Sequence, residues 1–412
     1  MKSVHRESQP NIDENGHYRP AGLSAGRPII LLADQSWDGA GGGAVILQSL
    51  IGDLIGDGIV WVTPTRGERD PEHGRYGLRS GSTGRTGKFS LLADLFTNSR
   101  ALAQEVSDLA QRINARGIWV ILHGATIGIA AQLARICNVP LHATVHDDPI
   151  YATAIRSRRL AFFTPLIARD FGFVLRKARS VDVVSQPMAE RYERKFGIQS
   201  SILRRGLTTP PSRSPDYELS RDGLTVGLLG NTYSYQQLPV LARAIESAAN
   251  QLGVTGRIVI CGAGFGSRLK QDMQGKLEVE VTGHIPEPAC ISKLQRCALL
   301  YLNYPFGRLN RVLGQTSFPT KLSTYIYASR PILLHAPEGT SLTDIPHDGG
   351  FIDSWTTLHP ADGASRIVSM VRSPSFAQSH HIAAETLRAR YYDLAAHRAT
   401  LSTILEGLAG IR

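Results

Sequence analysis

The sequence predicts an α/β protein of two doubly wound, Rossmann-like parallel-sheet domains, on three observations. Apolar runs of strand length alternate with longer helix-periodic stretches almost from end to end, the pattern of parallel strands joined by crossover helices. The alternation stops once, at residues 207–222 (LTTPPSRSPDYELSRD), where three prolines and little apolar periodicity mark a linker, and then restarts. A chain of 412 residues also exceeds what one ordinary core encloses.

In the first half, strands are expected at residues 28–33, 59–63, 118–123, 141–146 and 181–185, with a short run at 201–204. Helical stretches, for example 91–115 and 127–137, lie between them. Beyond the linker come strands at 224–229, 257–261, 277–281, 298–303 and 331–334, alternating with helices at 236–252, 266–275, 287–296 and 319–329. A long helical pattern over residues 382–408 has no following strand and is expected to pack back on the first domain. The resulting plan is a polar tail (1–27), a first domain (28–206), a linker (207–222), a second domain (223–380) and a terminal helix (381–412). Residues 64–89 interrupt it with six glycines, six Lys/Arg and three Asp/Glu, and no apolar period. Such a stretch reads as a lid, a binding loop or disorder.

Composition narrows the function classes. Hydrophobic residues at 42% and charged residues at 19% describe a globular chain. No apolar run reaches the roughly 18 residues of a membrane span, and the polar first 27 residues lack the apolar core of a signal peptide. Cys137, Cys261, Cys290 and Cys297 have no zinc-like spacing and read as free thiols in a reducing cytosol. A net charge of +10 points to nucleic acid, an anionic membrane or phosphorylated substrates. With 7% aromatic residues and no interleaved basic and aromatic stripe, nucleic acid is the least favoured partner. Residues 151–180 carry seven Arg/Lys against one Asp, mixed with Leu160, Phe162, Phe163, Phe171, Phe173 and Val174. That stretch reads either as contact with an anionic membrane surface or as a crossover helix with a solvated basic face.

Several motifs fall where strands are expected to end, the edge at which such sheets bind ligands. GAGGG at 39–43 follows the first strand and precedes a helix, so the amides of Gly41, Gly42 and Gly43 suit an acceptor or phosphate; a flexible turn is the alternative. His146, with Asp147 and Asp148 behind it, is placed to orient an acceptor hydroxyl, the aspartates also suiting helix caps. His123 ends the neighbouring strand. Lys321 lies in the first turn of a helix opened by Pro319, beside Ser317 and Thr320. A cation there is electrostatically unfavourable unless an anion joins it. ICGAGFGS (260–267), with Glu280 downstream, imitates a dinucleotide fingerprint, but in the second strand–helix unit of its domain.

Residues 318–334, FPTKLSTYIYASRPILL, resemble the P-x-K-L-x-E-Y-L-A-A-G-x-P-V signature of retaining GT-B glycosyltransferases similar to family 4. VGLLGN (226–231), VICGAGFG (259–266) and VTGHIPEPACISKLQRCALLYLNYPF (281–306) extend the likeness through the second domain. HATVHDDP (142–149) and VDVVSQPMAERYERKFG (181–197) carry it more diffusely into the first, so that residues 28–335 are covered in all. The resemblance implies two domains facing a cleft, the first binding the acceptor and the second a nucleotide-diphosphate sugar. It implies donor contacts from Lys321, Thr320, Ser317, Arg308, Arg311, Asn231, Gly264 and His284, and acceptor contacts from Gly41, Gly42, Gly43 and His123. Catalytic roles fall to His146 and Asp147, with no metal and no cofactor beyond the donor itself. The acceptor would be a glycan or lipid-linked, and the location cytoplasmic, peripheral on the inner face of the plasma membrane. Two departures stand out. The paired glutamates of such enzymes are replaced by Thr316 and Thr324, and GNTYSYQQ (230–237) lacks the cations that often hold the diphosphate. A catalytically degenerate GT-B scaffold is therefore the alternative, and a dinucleotide oxidoreductase a third reading.

Overall fold

The computed structural model describes residues 27–409 apart from 38, 40, 56–57, 66–68, 71–73, 83–97, 151–159, 231–234, 263, 275, 343–344, 346–350 and 374–379. The chain divides into two compact units, one ending at Gly206 and resuming at Leu394, the other spanning Leu207–Asp393.

The first unit is built on eight strands: β1 (Ile29–Leu32), β2 (Ile59–Thr65), β3 (Arg69–Asp70), β4 (Arg75–Ser82), β5 (Gly117–Ile121), β6 (Leu141–Val145), β7 (Ser180–Val183) and β8 (Ser201–Ile202). Their order is β3-β4-β2-β1-β5-β6-β7-β8, and every neighbouring pair is parallel except β3 with β4. β1 reads IILL and is buried along its length, as expected of a central strand covered on both faces. Ile29 and Leu31 join Trp61, Trp119 and Ile121 in a core closed by Ile46, Leu47 and Leu50 of the helix Gly42–Ile51 and by Leu401, Leu405 and Leu408 of the helix Leu394–Ala409. The helices Ser99–Arg112, Thr126–Ile136 and Thr164–Lys177 pack side by side over the alternate side chains. The last two strands are joined by the helix Gln186–Phe196, which Ser185 caps through Met188 N–H (3.2 Å) and Gly197 ends in the left-handed conformation.

The second unit holds β9 (Leu224–Leu229), β10 (Gly256–Cys261), β11 (Glu278–Val281), β12 (Leu299–Asn303), β13 (Ile332–His335) and β14 (Ile352–Trp355), all parallel in the order β11-β10-β9-β12-β13-β14. One core joins Val226, Leu228 and Ile258 to the helices Gln237–Leu252 and Pro360–Arg372. The other joins Leu300, Leu302, Ile332 and Leu334 to Leu322, Tyr325 and Ile326 of the helix Lys321–Ala328. Cys261, Cys290 and Cys297 lie in that second core as free thiols, and burial pushes Cys261 and Cys297 up to about 12, so they stay unreactive.

Three features differ from the sequence expectation. The 64–89 stretch contains strands β3 and β4 rather than loop alone; its residues 66–68, 71–73 and 83–89 lie outside the described ones. RYGLRSGS has no apolar alternation, yet β2 recruits it through the pairs Trp61↔Arg75 and Val62↔Tyr76, and Leu78 is fully buried. Second, β14 and the helix Pro360–Arg372 are present where the sequence predicts neither. IDSW is too short and too polar to signal a strand, and Gly363 leaves room for the Trp355 ring, 2.6 Å from where a Cβ would stand. Third, the terminal pattern is two helices, His381–Tyr391 in the second unit and Leu394–Ala409 in the first. Between them Asp393 pairs with Leu207, whose N–H donates to the Tyr392 carbonyl (2.8 Å). The helix Leu394–Ala409 does pack back on the first unit. Residues 207–222 lie against the second unit, where Leu207 is buried, Ser214 donates to the Ser329 carbonyl (3.3 Å) and Arg330 to that of Pro215. Among the described residues no helix is long and apolar enough to cross a membrane.

Candidate functional site

Each unit presents a cluster at the carboxyl edge of its sheet, where crossover loops leave the strands and ligands of such folds gather. In the second unit three glycines turn the chain there: Gly230 after β9 (φ 64°), Gly262 after β10 (φ 135°) and Gly283 after β11 (φ 68°). Gly230 N–H donates to the Cys261 carbonyl (2.7 Å), and Gly262 bridges to Gly283. A Cβ at Gly262 would stand 3.0 Å from Gly230 Cα, so the loops meet at a spacing only glycine permits.

Lys321 reaches this meeting point. It is the first residue of its helix, which starts two places later than the expected opening at Pro319. Its Cε lies 3.8 Å from where a Gly230 Cβ would be. The side chain is half-buried, and desolvation pushes the ammonium down from its ordinary 10.5 to about 8. The desolvated ammonium thus stands at a helix N-terminus beside three glycine turns, a setting electrostatically favourable to a phosphate.

The other expected donor residues sort differently. Thr320, half-buried, occupies the capping position, and its carbonyl accepts from Ser323 N–H (3.1 Å). Gly264 (φ 31°) is exposed at the entrance to the helix Gly266–Asp272, His284 is exposed beside Gly283, and Arg308 and Arg311 are exposed in the turn after β12. Asn231 lies outside the described residues. Ser317 is buried and its hydroxyl donates to the Leu313 carbonyl (2.7 Å), so it serves the backbone rather than a ligand. Thr316 likewise bonds Val312 O (2.7 Å) in its own helix. Thr324 instead donates to Glu287 Oε1 (2.7 Å), which brings a carboxylate from the helix Glu287–Leu294 to the face that also carries Lys321. Sequence reading missed Glu287; its one local signal was an acid behind Pro286 at a helix start. Glu280, the acid of the dinucleotide-like pattern, is held by Lys293 and Arg257 at 2.5 Å each.

In the first unit the corresponding edge gathers Asp34 and Gln35 after β1, His123 after β5, and His146 and Asp147 after β6. Asp34 Oδ2 lies 2.5 Å from His123 Nδ1, with side-chain exposures of 21% and 25%, so the pair is sheltered yet reachable. His123 is fixed in its turn by Thr126, whose hydroxyl donates to the His123 carbonyl (2.7 Å). Gly42 and Gly43 open the helix Gly42–Ile51, with exposed Gly41 in the capping position. A Cβ on Gly43 would meet His146 Nδ1 at 3.0 Å and Gln35 Oε1 at 2.8 Å. His146 is thus packed against the glycine loop, and its pKa is lowered chiefly by burial and further by His123, while Asp182, Asp147 and Asp34 oppose the shift. The ring is neutral at pH 7. Asp147 is half-buried, whereas Asp148 is structural: it accepts from Ile150 N–H (3.1 Å) and Tyr192 O–H (3.2 Å). Asp34 was overlooked because it sits one place past the apolar run and has no motif of its own.

No protein-family model and no curated protein sequence matches the chain. Among solved structures it is similar to a sucrose-phosphate synthase from Thermosynechococcus elongatus, with a TM-score of 0.69 and 14% identity over 94% of this chain and 100% of that one. HepE from Anabaena, solved with UDP and with UDP and glucose, aligns at a TM-score of 0.63 and 15% identity over 92% of this chain and 99% of that one. A UDP-forming α,α-trehalose-phosphate synthase from Burkholderia vietnamiensis aligns at 0.63 and 12% identity over 93% and 98%. With two Rossmann-like parallel-sheet units and this likeness over nearly the whole chain, the protein has the GT-B fold.

Proposed function

We propose that the protein is a glycosyltransferase that moves a sugar from a nucleotide-diphosphate donor to a glycan or lipid-linked acceptor. In this reading it is similar to family 4, retains anomeric configuration, and needs no metal and no cofactor beyond its donor. The observation that carries the reading is Lys321, a desolvated ammonium at a helix N-terminus beside the Gly230–Gly262–Gly283 loops. In transfer the bond from the anomeric carbon to the leaving phosphate breaks while a bond to the acceptor oxygen forms on the same face. The departing phosphate oxygen takes the hydroxyl proton. Lys321 and the helix amides stabilise the charge that develops on that phosphate. Arg308, Arg311, Thr320, Gly264, His284 and Asn231 complete the donor side in this reading. His146 and Asp147 act at the acceptor, which Gly41, Gly42, Gly43 and His123 hold.

UDP is the first nucleotide to test, because HepE was solved with UDP and the trehalose-phosphate synthase is UDP-forming. A thermal-shift screen with UDP, GDP, ADP and CMP tests the reading, since a ligand that binds the native state raises its melting point. No shift with any nucleoside diphosphate would overturn it. The second reading, a GT-B scaffold without catalysis, is favoured by Thr316, whose hydroxyl serves its own helix where such enzymes carry a glutamate. Nucleotide binding without release of sugar from any nucleotide sugar would establish that reading instead.

We place the protein on the cytoplasmic side, against an anionic membrane. The helix Thr164–Lys177 buries Ile167, Phe171, Val174 and Leu175 in the first unit and exposes Arg169, Arg176 and Lys177, with Phe162 (90% exposed) before it and Arg179 after it also exposed; residues 151–159 lie outside the described ones.

A further inference from the structure

We propose that Asp182 is a positioning residue for His146: an ionised carboxylate buried behind that ring without a cation, whose charge keeps the ring basic at the sheet edge. That His146 meets an acceptor rests on the transferase reading. The charge behind it does not, and it is tested without substrate.

Strand register assembles the group. His142 on β6 pairs with Trp119 on β5 and with Ser180 on β7, and Thr144 pairs with Asp182. Paired residues of parallel strands share a face, so these five lie on one side of the sheet, and His146 follows Thr144 by two residues. Their donors converge on one oxygen. Trp119 Nε1–H donates to Thr144 Oγ1 (2.7 Å), whose own hydroxyl donates to Asp182 Oδ1. The Ser180 hydroxyl lies 2.8 Å from His142 Nδ1, nearer than the Ser180 carbonyl at 3.1 Å, and donates to it. His142 Nε2–H then donates to the same Asp182 Oδ1 at 2.6 Å. With a lone pair on Nδ1 the His142 ring is neutral, and the charge stays on Asp182. Trp119, His142, Thr144 and Asp182 are at most 1% exposed. Among the described residues the one ion-pair partner of Asp182 is His142, no lysine or arginine is within that distance, and Oδ2 is buried with no hydrogen-bond partner. Such an oxygen is costly and asks for a reason. Its field at His146 supplies one.

The groups around His146 leave Asp182 the dominant charge. Asp34, at the end of β1, is engaged by His123, at the end of β5, and both reach solvent. Asp147 is half-buried. The helix Gly42–Ile51, which packs on the ring at Gly43, has no ionisable side chain. The helix Leu394–Ala409 lies against β5 and β6 and brings His397, Arg398 and Glu406. Water screens charges at the edge and leaves one in the dry interior nearly unscreened. Asp182 accordingly stands first among the charges acting on His146, ahead of Asp147, His123 and Asp34, and offsets part of the lowering that burial imposes on the ring.

The test is a histidine 15N NMR titration of the ligand-free, full-length protein from pH 4.5 to 8.5, with rings assigned through their backbone resonances. Asp182→Asn keeps an oxygen for the His142 and Thr144 donors while removing the charge. It should move the His146 titration down by at least about 0.4 pH unit, the effect of a unit charge about 8 Å away even at the dielectric of water. A residue that only holds the strands together would lower the melting point and leave that titration in place. An unchanged or raised titration in Asp182→Asn therefore overturns the proposal, as does a wild-type His146 still without its proton at pH 4.5. The wild-type His142 ring gives a second reading that needs no variant. It should be neutral with its proton on Nε2 at pH 7, whereas an imidazolium would cancel the charge of Asp182 and an Nδ1–H ring would put the proton on Asp182. Either result overturns the proposal. Failure of the transferase reading is distinct, since it shows as the absence of any melting shift with a nucleoside diphosphate.

Discussion

Lys321→Met isolates the group that carries the donor site. The methionine keeps the length and most of the apolar stem while removing the charge. Burial has pushed the ammonium from 10.5 to about 8, which at about 1.36 kcal/mol per pH unit is an ionisation penalty on the order of 3 kcal/mol. Half-burial leaves the side chain some solvent, so roughly half of that is the part felt in stability. The substitution should therefore leave the ligand-free melting point unchanged or raise it by a few degrees. A diphosphate offsets the same penalty by a charge-assisted hydrogen bond of about 1.5–3 kcal/mol, so affinity for UDP should fall about 10- to 150-fold. Affinity for uridine should scarcely change. In the wild type, UDP affinity should be full below pH 8 and decline above it as the ammonium loses its proton. Calorimetric titration with UDP and uridine at pH 7 and pH 9.5, beside melting curves, reads all of this. A variant that loses stability while binding UDP as tightly as the wild type would refute the reasoning.

Four further outcomes follow from particular contacts. Gly262→Ala places a Cβ 3.0 Å from Gly230 Cα at φ 135°, which should cost about 1–3 kcal/mol of stability in denaturant melts and weaken UDP binding with it; an unchanged melt refutes the close approach. Thr324→Val removes the partner of Glu287 Oε1 and should destabilise by about 1–3 kcal/mol, with Glu287→Gln milder because the amide oxygen still accepts; a milder Thr324→Val would reverse that order. His335 has both ring nitrogens bonded, to Tyr301 O–H (2.6 Å) and the Thr357 carbonyl (2.7 Å), and stacks on Trp355 at 3.7 Å, so burial lowers it to about 4. Because the unfolded chain binds this proton near pH 6.5 and the folded one near 4, stability should be full above 6.5 and fall by about 2–3 kcal/mol toward pH 4, a slope that His335→Gln should flatten in urea melts. Phe162→Asp should reduce sedimentation with anionic liposomes, and 0.5 M salt should release the wild type by screening Arg169, Arg176 and Lys177; binding indifferent to both would refute the membrane reading.

Much of the architecture was legible in the sequence because hydrophobic periodicity is a local property. The run IILL, short and bounded by Pro28 and Asp34, reads as a strand buried on both faces, and Gln237–Leu252 shows its apolar face at helical spacing before any partner is known. The motif FPTKLSTYIYASRPILL placed Lys321 in the first turn of a helix, and the structure moved the helix start by two residues, from Pro319 to Lys321. What the sequence could not show depends on side chains or strands that meet across the chain. Asp34 and His123 are 89 residues apart, and Glu287 and Thr324 are 37 apart, with nothing local to pair them. β4 exists because β2 offers it an edge, not because RYGLRSGS favours extension. The helical period runs through Tyr392 and Asp393 without a break, yet the backbone leaves it there to pair with Leu207. Ser317 sits in the right motif and spends its hydroxyl on Leu313. Local pattern determined which segments become strands and helices, since each segment's own apolar face selects its period. Tertiary structure decided which polar groups meet, since a hydrogen bond or an ion pair is specified by two positions in space and not by either one in the sequence.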